Sequence, residues 1–267
     1  MINKIRVKED NEILNSIFLF KEIDLTKLPN KSIVPLFGAN GIGKSTLIST
    51  IYDYLYLNRM VKNPDKIKST SSFISVENLV RTYRDKLESI GIELELEDKD
   101  YSCYNYKDSK DNFKHYKVDK LSFDEEVAFK ISCMYDASAL SEGQSIIYSI
   151  KDLFESFRIS NERHIAVCDD FSYIITIDEV DSGLSVDNID VIMNYIKEII
   201  ETRSNTQFII SFNNPRVIKT FKDVVNLYDG NIIHLESDDD MIKEILKNKS
   251  KLDKRRLDKE GNFIIYE

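Results

Sequence analysis

Two pairs of side chains in this sequence could do chemistry together: Lys44 and Ser45 near the end of GANGIGKST (38–46), and Asp178 and Glu179 closing YIITIDE (173–179). Three of the chain's eight glycines fall within six positions of the first stretch. Gly38-Ala39-Asn40-Gly41-Ile42-Gly43-Lys44-Ser45 satisfies G-x-x-x-x-G-K-[ST], with Thr46 following. Glycines at these places let the backbone curl so that successive N–H groups point at phosphate oxygens, with a helix N-terminus behind them. Lys44 would reach the β- and γ-phosphates of a bound ATP, and Ser45 would place its hydroxyl on Mg²⁺. Asp178, at a strand's C-terminal end, would hold the same Mg²⁺ directly or through water. Glu179 is placed to take a proton from an attacking water. An acidic pair at a strand end means little by itself, since acids end many strands, but paired with the glycine loop it completes a nucleotide site.

The elements that must position these groups are legible around them. IFLFKEIDL (17–25) and SIVPLF (32–37) read as strands, and residues 45–60 carry apolar side chains at helical spacing without a breaker. Strand, glycine loop and helix is the context that a phosphate-binding loop requires. Residues 62–72 read as a loop and 74–91 as a helix ending at Gly91. IELELEDKDYSCYNY and NFKHYKVDKL suggest a β-hairpin or small meander. Helices are predicted over 125–134, 144–160, 186–204 and about 239–257. Strands are predicted at 173–178, 207–212 and the terminal NFIIYE, and 224–235 reads as a hairpin turning at Asp229-Gly230. Continuous apolar strands alternating with helices predict an α/β core.

Between the two halves of the site lies Leu140-Ser141-Glu142-Gly143-Gln144, which resembles the LSGGQ signature of ABC-type ATPases, with Glu142 in place of the first glycine. The order of phosphate loop, signature, Asp-Glu strand and a D-loop-like Val180-Asp181-Ser182-Gly183-Leu184 strengthens the resemblance, which covers about residues 17–235. It implies an ABC-ATPase P-loop fold with a mainly parallel central sheet, an antiparallel β subdomain and a helical signature subdomain. The whole chain would be a single domain, its core lobe about 1–60 and 170–267 and its inserted lobe about 61–169. The resemblance also implies that Ser141, Gly143, Gln144 and Asp181 join the phosphate loop in holding ATP. One subunit's loop would face the signature of a second copy or a homologous chain, stacked head to tail around two ATP molecules.

The sequence departs from that family in two places. Where the family has a switch histidine, QFIISFNNP offers Phe212 or Asn213, and none of His115, His164 and His234 is nearby; Asn213 can donate a hydrogen bond but cannot carry charge, which predicts slow hydrolysis. The glutamine of the family's Q-loop is also missing, since the chain's only glutamines are Gln144 and Gln207; Asn78 and Glu77 are candidates for its place. An aromatic ahead of the phosphate loop usually stacks on adenine in this family, and Phe18 and Phe20 lie in the right segment, although core packing suits both better.

Hydrophobic residues make up 42% and charged residues 31%, enough apolar content for a real core. No run approaches a membrane span, and the acids in MINKIRVKEDNEIL argue against an export signal, so a cytoplasmic chain without membrane insertion is expected. Cys103, Cys133 and Cys168 are too far apart for a metal motif and read as buried apolar side chains. A net charge of −9 argues against an overall hold on nucleic acid. The basic run Lys247–Arg256 reads first as a solvated helix face balancing the acids at 236–240, and second as a patch for DNA or RNA phosphates. The added β segment and missing histidine resemble soluble ATPases related to RecF and SMC heads, as found in DNA repair and phage defence, acting on a separate effector. The ATP-binding subunit of an ABC transporter is the alternative.

Overall fold

The computed structural model describes residues 1–64, 75–97, 100–106, 171–181, 184–202 and 204–255. Two sheets share one interior. Strands β1 (Ile2–Val7), β2 (Glu22–Asp24) and β4 (Ile92–Leu96) form a small antiparallel sheet in the order β2-β1-β4. The larger sheet adds β3 (Ile33–Phe37), β5 (Asp100–Tyr106), β6 (Phe171–Ile177), β7 (Thr206–Ser211), β8 (Asp223–Asn226) and β9 (Ile232–His234), in the order β5-β6-β7-β3-β8-β9. Its pairings are parallel from β5 through β8, and only β9 runs antiparallel. The chain is thus α/β, with a mixed, mainly parallel sheet, a separate antiparallel sheet and helices.

Both faces of the large sheet are covered, which is why its strands read as unbroken apolar runs. On one face Val34, Leu36, Ile174 and Ile209 pack with Leu47, Ile48 and Ile51 of helix α2 (Lys44–Lys62) and with the small sheet. On the other, Phe37, Ile175, Ile177, Phe208 and Ile210 meet Ile189, Ile192, Met193 and Ile196 of a later helix, Val186–Thr202. Those four recur at the three- and four-residue steps of a buried helical stripe. Two short connectors join these strands: α1 (Glu12–Ile17) lies between β1 and β2, and the 3₁₀ turn Leu25–Lys27 lies between β2 and β3. Among the described residues the remaining α-helices are α3 (Val76–Ser89), the helix just described, here α4, and α5 (Asp238–Arg255).

Three expectations change. Residues 17–25 are not one strand: α1 runs through Ile17, the segment 18–21 is irregular, and only Glu22–Asp24 pairs. Asn11 caps α1 by accepting from Leu14 N at 2.8 Å, and Phe18 and Phe20 turn inward with ring centroids 5.0 Å apart. The first arm of the hairpin or meander expected around KDSKD, 92–106, divides into two strands of different sheets, and the second arm lies outside the described residues. β4 pairs with β1, whereas β5 enters the central sheet beside β6, from Asp100↔Phe171 to Tyr106↔Ile177. Finally, the 224–235 hairpin exists, but its connection is the five-residue Leu227–Asn231, closed by Gly230 N donating to Asn226 O at 2.8 Å. The segments predicted as helices at 125–134 and 144–160, NFKHYKVDKL and NFIIYE lie outside the described residues.

On that hairpin His234 Nδ1 lies 2.8 Å from Asp223 Oδ1, and Nε2 lies 2.8 Å from Glu236 Oε1. The two carboxylates hold the imidazolium above its ordinary pKa of 6.5. The resulting stability is fully present below pH 6.5 and is lost as pH rises through the raised value. An NMR titration of the His234 ring should therefore show a midpoint above 6.5, returning toward 6.5 in Asp223→Asn. A midpoint at or below 6.5 in the unmodified chain would contradict the geometry.

Candidate functional site

Parallel strands end on one edge of a sheet, and β3, β7 and β6 are consecutive neighbours, so the segments 38–43, 212–214 and 178–181 open side by side. The first is the glycine loop. Gly41 and Gly43 take φ of 79° and 98°, in the left-handed region where a Cβ is disfavoured. A Cβ on Gly43 would also lie 2.7 Å from Ile17 Cγ2 and 2.9 Å from Phe18 Cε1, so the loop rests directly on the end of α1 and the residue after it. Gly38 is packed against Ile42, whose N–H donates to Ala39 O at 3.2 Å. Gly38, Ala39 and Ile42 are buried, while Asn40, Gly41 and Ser45 are exposed. Thr46 is half-buried, and its carbonyl accepts from the hydroxyls of Ser49 and Thr50.

Lys44 is almost completely buried, and its Nζ donates to Gly38 O at 2.7 Å, closing the loop on itself. Burial pushes its ammonium below the ordinary lysine pKa, while Glu179, Asp181 and Asp178 oppose that shift. One cation thus faces three carboxylates across the strand ends.

The acidic side is tied down by β7. Ser211 Oγ donates to Asp178 Oδ1 at 2.6 Å and accepts from Glu179 N at 2.7 Å, while Val180 N donates to Ser211 O. Glu179 itself adopts φ 49°, the sole positive value for a non-glycine among the described residues. Such a conformation costs on the order of 1 kcal/mol and persists because the flanking hydrogen bonds fix it. It turns the Glu179 side chain out of the strand's alternation, to within 3.5 Å of Asn213 Nδ2. Asp181 Oδ2 accepts from both Asn213 N, at 2.8 Å, and Asn214 N, holding the 212–214 segment against 178–181. Its Oδ1 is buried without a hydrogen-bond partner, and burial raises the Asp181 pKa despite the two backbone donors. Ser211 and Asn214 had no sequence signal as site residues, since a serine at a strand end and the second Asn of NNP read as ordinary turn chemistry.

The donor set fits a hard dication. Ser45 and Asp178 offer a hydroxyl and a carboxylate, the oxygen ligands Mg²⁺ takes, and Asp178 uses only Oδ1 for Ser211. The other expected contributors stand as follows. Ser141, Gly143 and Gln144 lie outside the described residues, as do Ser182, Gly183, His115 and His164. Glu77 and Asn78 are exposed in the first turn of α3, where Asn78 N donates to the capping Ser75 Oγ. Phe212 is fully buried, which leaves Asn213 facing Glu179. Phe18 and Phe20 are buried core residues, and Cys103 is buried as well. In the basic run, Lys247 pairs with Glu244 at 2.9 Å and Asn248 is buried against Asn226, so α5 does not present 247–248 as one cationic face. Among the described residues no helix is long and apolar enough to cross a membrane.

Comparisons with solved structures return ATP-binding cassettes. A metal-chelate-type ABC transporter in an inward-facing conformation aligns over 91% of this chain and 89% of its own at 15% identity and TM-score 0.47. For cbiO1 from Clostridium perfringens, part of the ABC transporter complex cbiONQ, the values are 94%, 96%, 17% and 0.46. A dimeric post-hydrolysis ATP-binding cassette bound to ADP and phosphate gives 88%, 98%, 15% and 0.43. No curated protein matches the sequence. Residues 15–236, from the end of α1 to the last acid of the β8–β9 hairpin, match the KAP family P-loop domain, and the chain therefore belongs to that family.

Proposed function

We propose that this chain is a Mg²⁺-dependent ATPase that uses ATP binding and slow hydrolysis to switch a partner. The observation that carries the reading is the meeting of the glycine loop, Asp178, Glu179 and Asn213 at the ends of three neighbouring parallel strands. The loop's N–H groups and Lys44 bind the phosphates of ATP. Ser45 and Asp178 would hold Mg²⁺, which would supply neutralisation of the phosphate charge. Glu179 accepts a proton from water as the water oxygen bonds to the terminal phosphorus and the bond to the bridging oxygen breaks, releasing ADP and phosphate, and Asn213 orients that carboxylate without adding charge. The absence of a cation at Asn213 keeps turnover slow, on the order of 1 s⁻¹ or below.

The LSEGQ resemblance supports a head-to-tail pair, with Ser141, Gly143 and Gln144 of one copy facing the loop of a second copy or homologous chain. The acted-on partner would be a separate effector or nucleic-acid-processing protein, as in DNA repair or phage defence, with a transport permease as the competing partner. Calorimetry and phosphate release with and without Mg²⁺ test the core of this reading. The unmodified chain should bind ATP only with Mg²⁺ and release phosphate slowly. Lys44→Ala should lose about tenfold or more in ATP affinity, since it deletes a charge-assisted contact. Equal ATP affinity in Lys44→Ala would overturn the assignment.

A further inference from the structure

The phosphate loop leaves open where the base of the nucleotide goes. Phe18 and Phe20 are only 4% and 3% exposed and lie against each other, and Phe18 sits beneath Gly43, so neither ring has a face to offer. The strand order limits the alternatives. The terminal phosphate belongs on the β6 side of β3, beside Asp178 and Glu179, and β7 fills the space between. The nucleoside end therefore extends to the opposite side of β3, where β8 is the parallel neighbour and ends on the same edge.

That side is built around the connection Leu227–Asn231. Leu227 N donates to Phe37 O at 2.9 Å, one residue before the glycine loop begins. Asn226, nearly fully buried, accepts from Tyr228 N at 3.1 Å and from Asn248 Nδ2 of α5 at 3.1 Å. Gly230, at φ 73°, leaves room for Phe20 and for Glu22 O, which a Cβ there would meet at 2.7 and 2.8 Å. The connection is thus clamped to the strand that carries the loop, to the residues supporting the loop, and to α5. Its aromatic, Tyr228, is half-buried.

We propose that Tyr228 is the platform on which the purine base of the bound nucleotide stacks, held in place by Asn226 and Asn248. This rests on the ATP-binding reading above and adds to it the residue that tells a nucleotide from a bare polyphosphate. An aromatic ring suits the task because every base presents a π-face, and one such stack carries about tenfold or more in affinity.

Calorimetric titration of ATP–Mg²⁺ and of inorganic tripolyphosphate–Mg²⁺ into the unmodified chain, Tyr228→Phe and Tyr228→Ala tests it, with thermal melts reporting on folding. Tyr228→Ala should bind ATP about tenfold more weakly while tripolyphosphate affinity stays as in the unmodified chain, and Tyr228→Phe should bind both normally. Unchanged ATP affinity in Tyr228→Ala overturns the proposal. So does a loss shared equally by ATP and tripolyphosphate, or an unmodified chain that binds both ligands equally well. An unmodified chain that binds neither ligand defeats the ATP-binding reading itself.

Discussion

Glu179→Gln is expected to abolish measurable hydrolysis, lowering turnover by about a hundredfold or more, the ordinary contribution of a positioned general base. ATP should still bind, because the substitution leaves the glycine loop, Lys44 and Asp178 in place. The amide retains an oxygen for Asn213 Nδ2 and keeps the backbone bond from residue 179 N to Ser211 Oγ, so the local turn should survive. What disappears is the basicity that water needs. If two copies close around shared nucleotide, the variant should also accumulate as an ATP-bound dimer, visible by light scattering with saturating ATP and Mg²⁺. Phosphate release at the unmodified rate would remove Glu179 from the chemistry.

The second large effect concerns stability and lies on the sheet's opposite edge. Gln207 is fully buried on β7, where Oε1 accepts from Ile2 N at 2.7 Å and Nε2 donates to Ile2 O at 3.0 Å and to Lys31 O at 2.9 Å. One amide thereby fastens the small sheet and the lead-in to β3 onto the central sheet. Gln207→Leu keeps the volume but strips partners from three main-chain groups. Each orphaned buried group costs about 1–3 kcal/mol, so a loss of about 3 kcal/mol in unfolding free energy is expected from denaturant titration. A change under about 1 kcal/mol would mean that water reaches these groups and that the clasp contributes little.

The candidate site was the most legible part of this chain because its motifs depend on residue type within short windows. Gly41, Gly43 and Lys44 announce the loop without any tertiary information, and a strand ending in Asp178-Glu179 needs only its own apolar run to be seen. Asn213, chosen by position after the β7 strand, does lie beside Glu179. Features that depend on distant partners were not legible. β1 was missed because its register shifts between Ile2 and Lys4, which puts Ile2 and Ile5 inward at a spacing of three instead of two. β4 and β5 lie in one alternating segment that reads as a single arm, yet they join different sheets beside β1 and β6, and no local pattern encodes that choice. Asp181, expected beside ATP through a family resemblance, also ties the backbone of Asn213 and Asn214 through Oδ2, a bond that no local pattern announces. Gln207 was noticed only for not being in a Q-loop, since a single buried polar residue in an apolar strand says nothing of whom it bonds.

The clasp between Ile2 and Gln207 spans 205 positions of sequence and has a temporal consequence. A ribosome delivers Ile2 long before Gln207, so β1 can pair early with β2 and β4, but the bonds from Ile2 to the Gln207 side chain must wait until β7 has emerged. During that interval the small sheet can form but lacks its Gln207 clasp to the central sheet, and the unfinished interior between them leaves apolar surface open for a chaperone to protect.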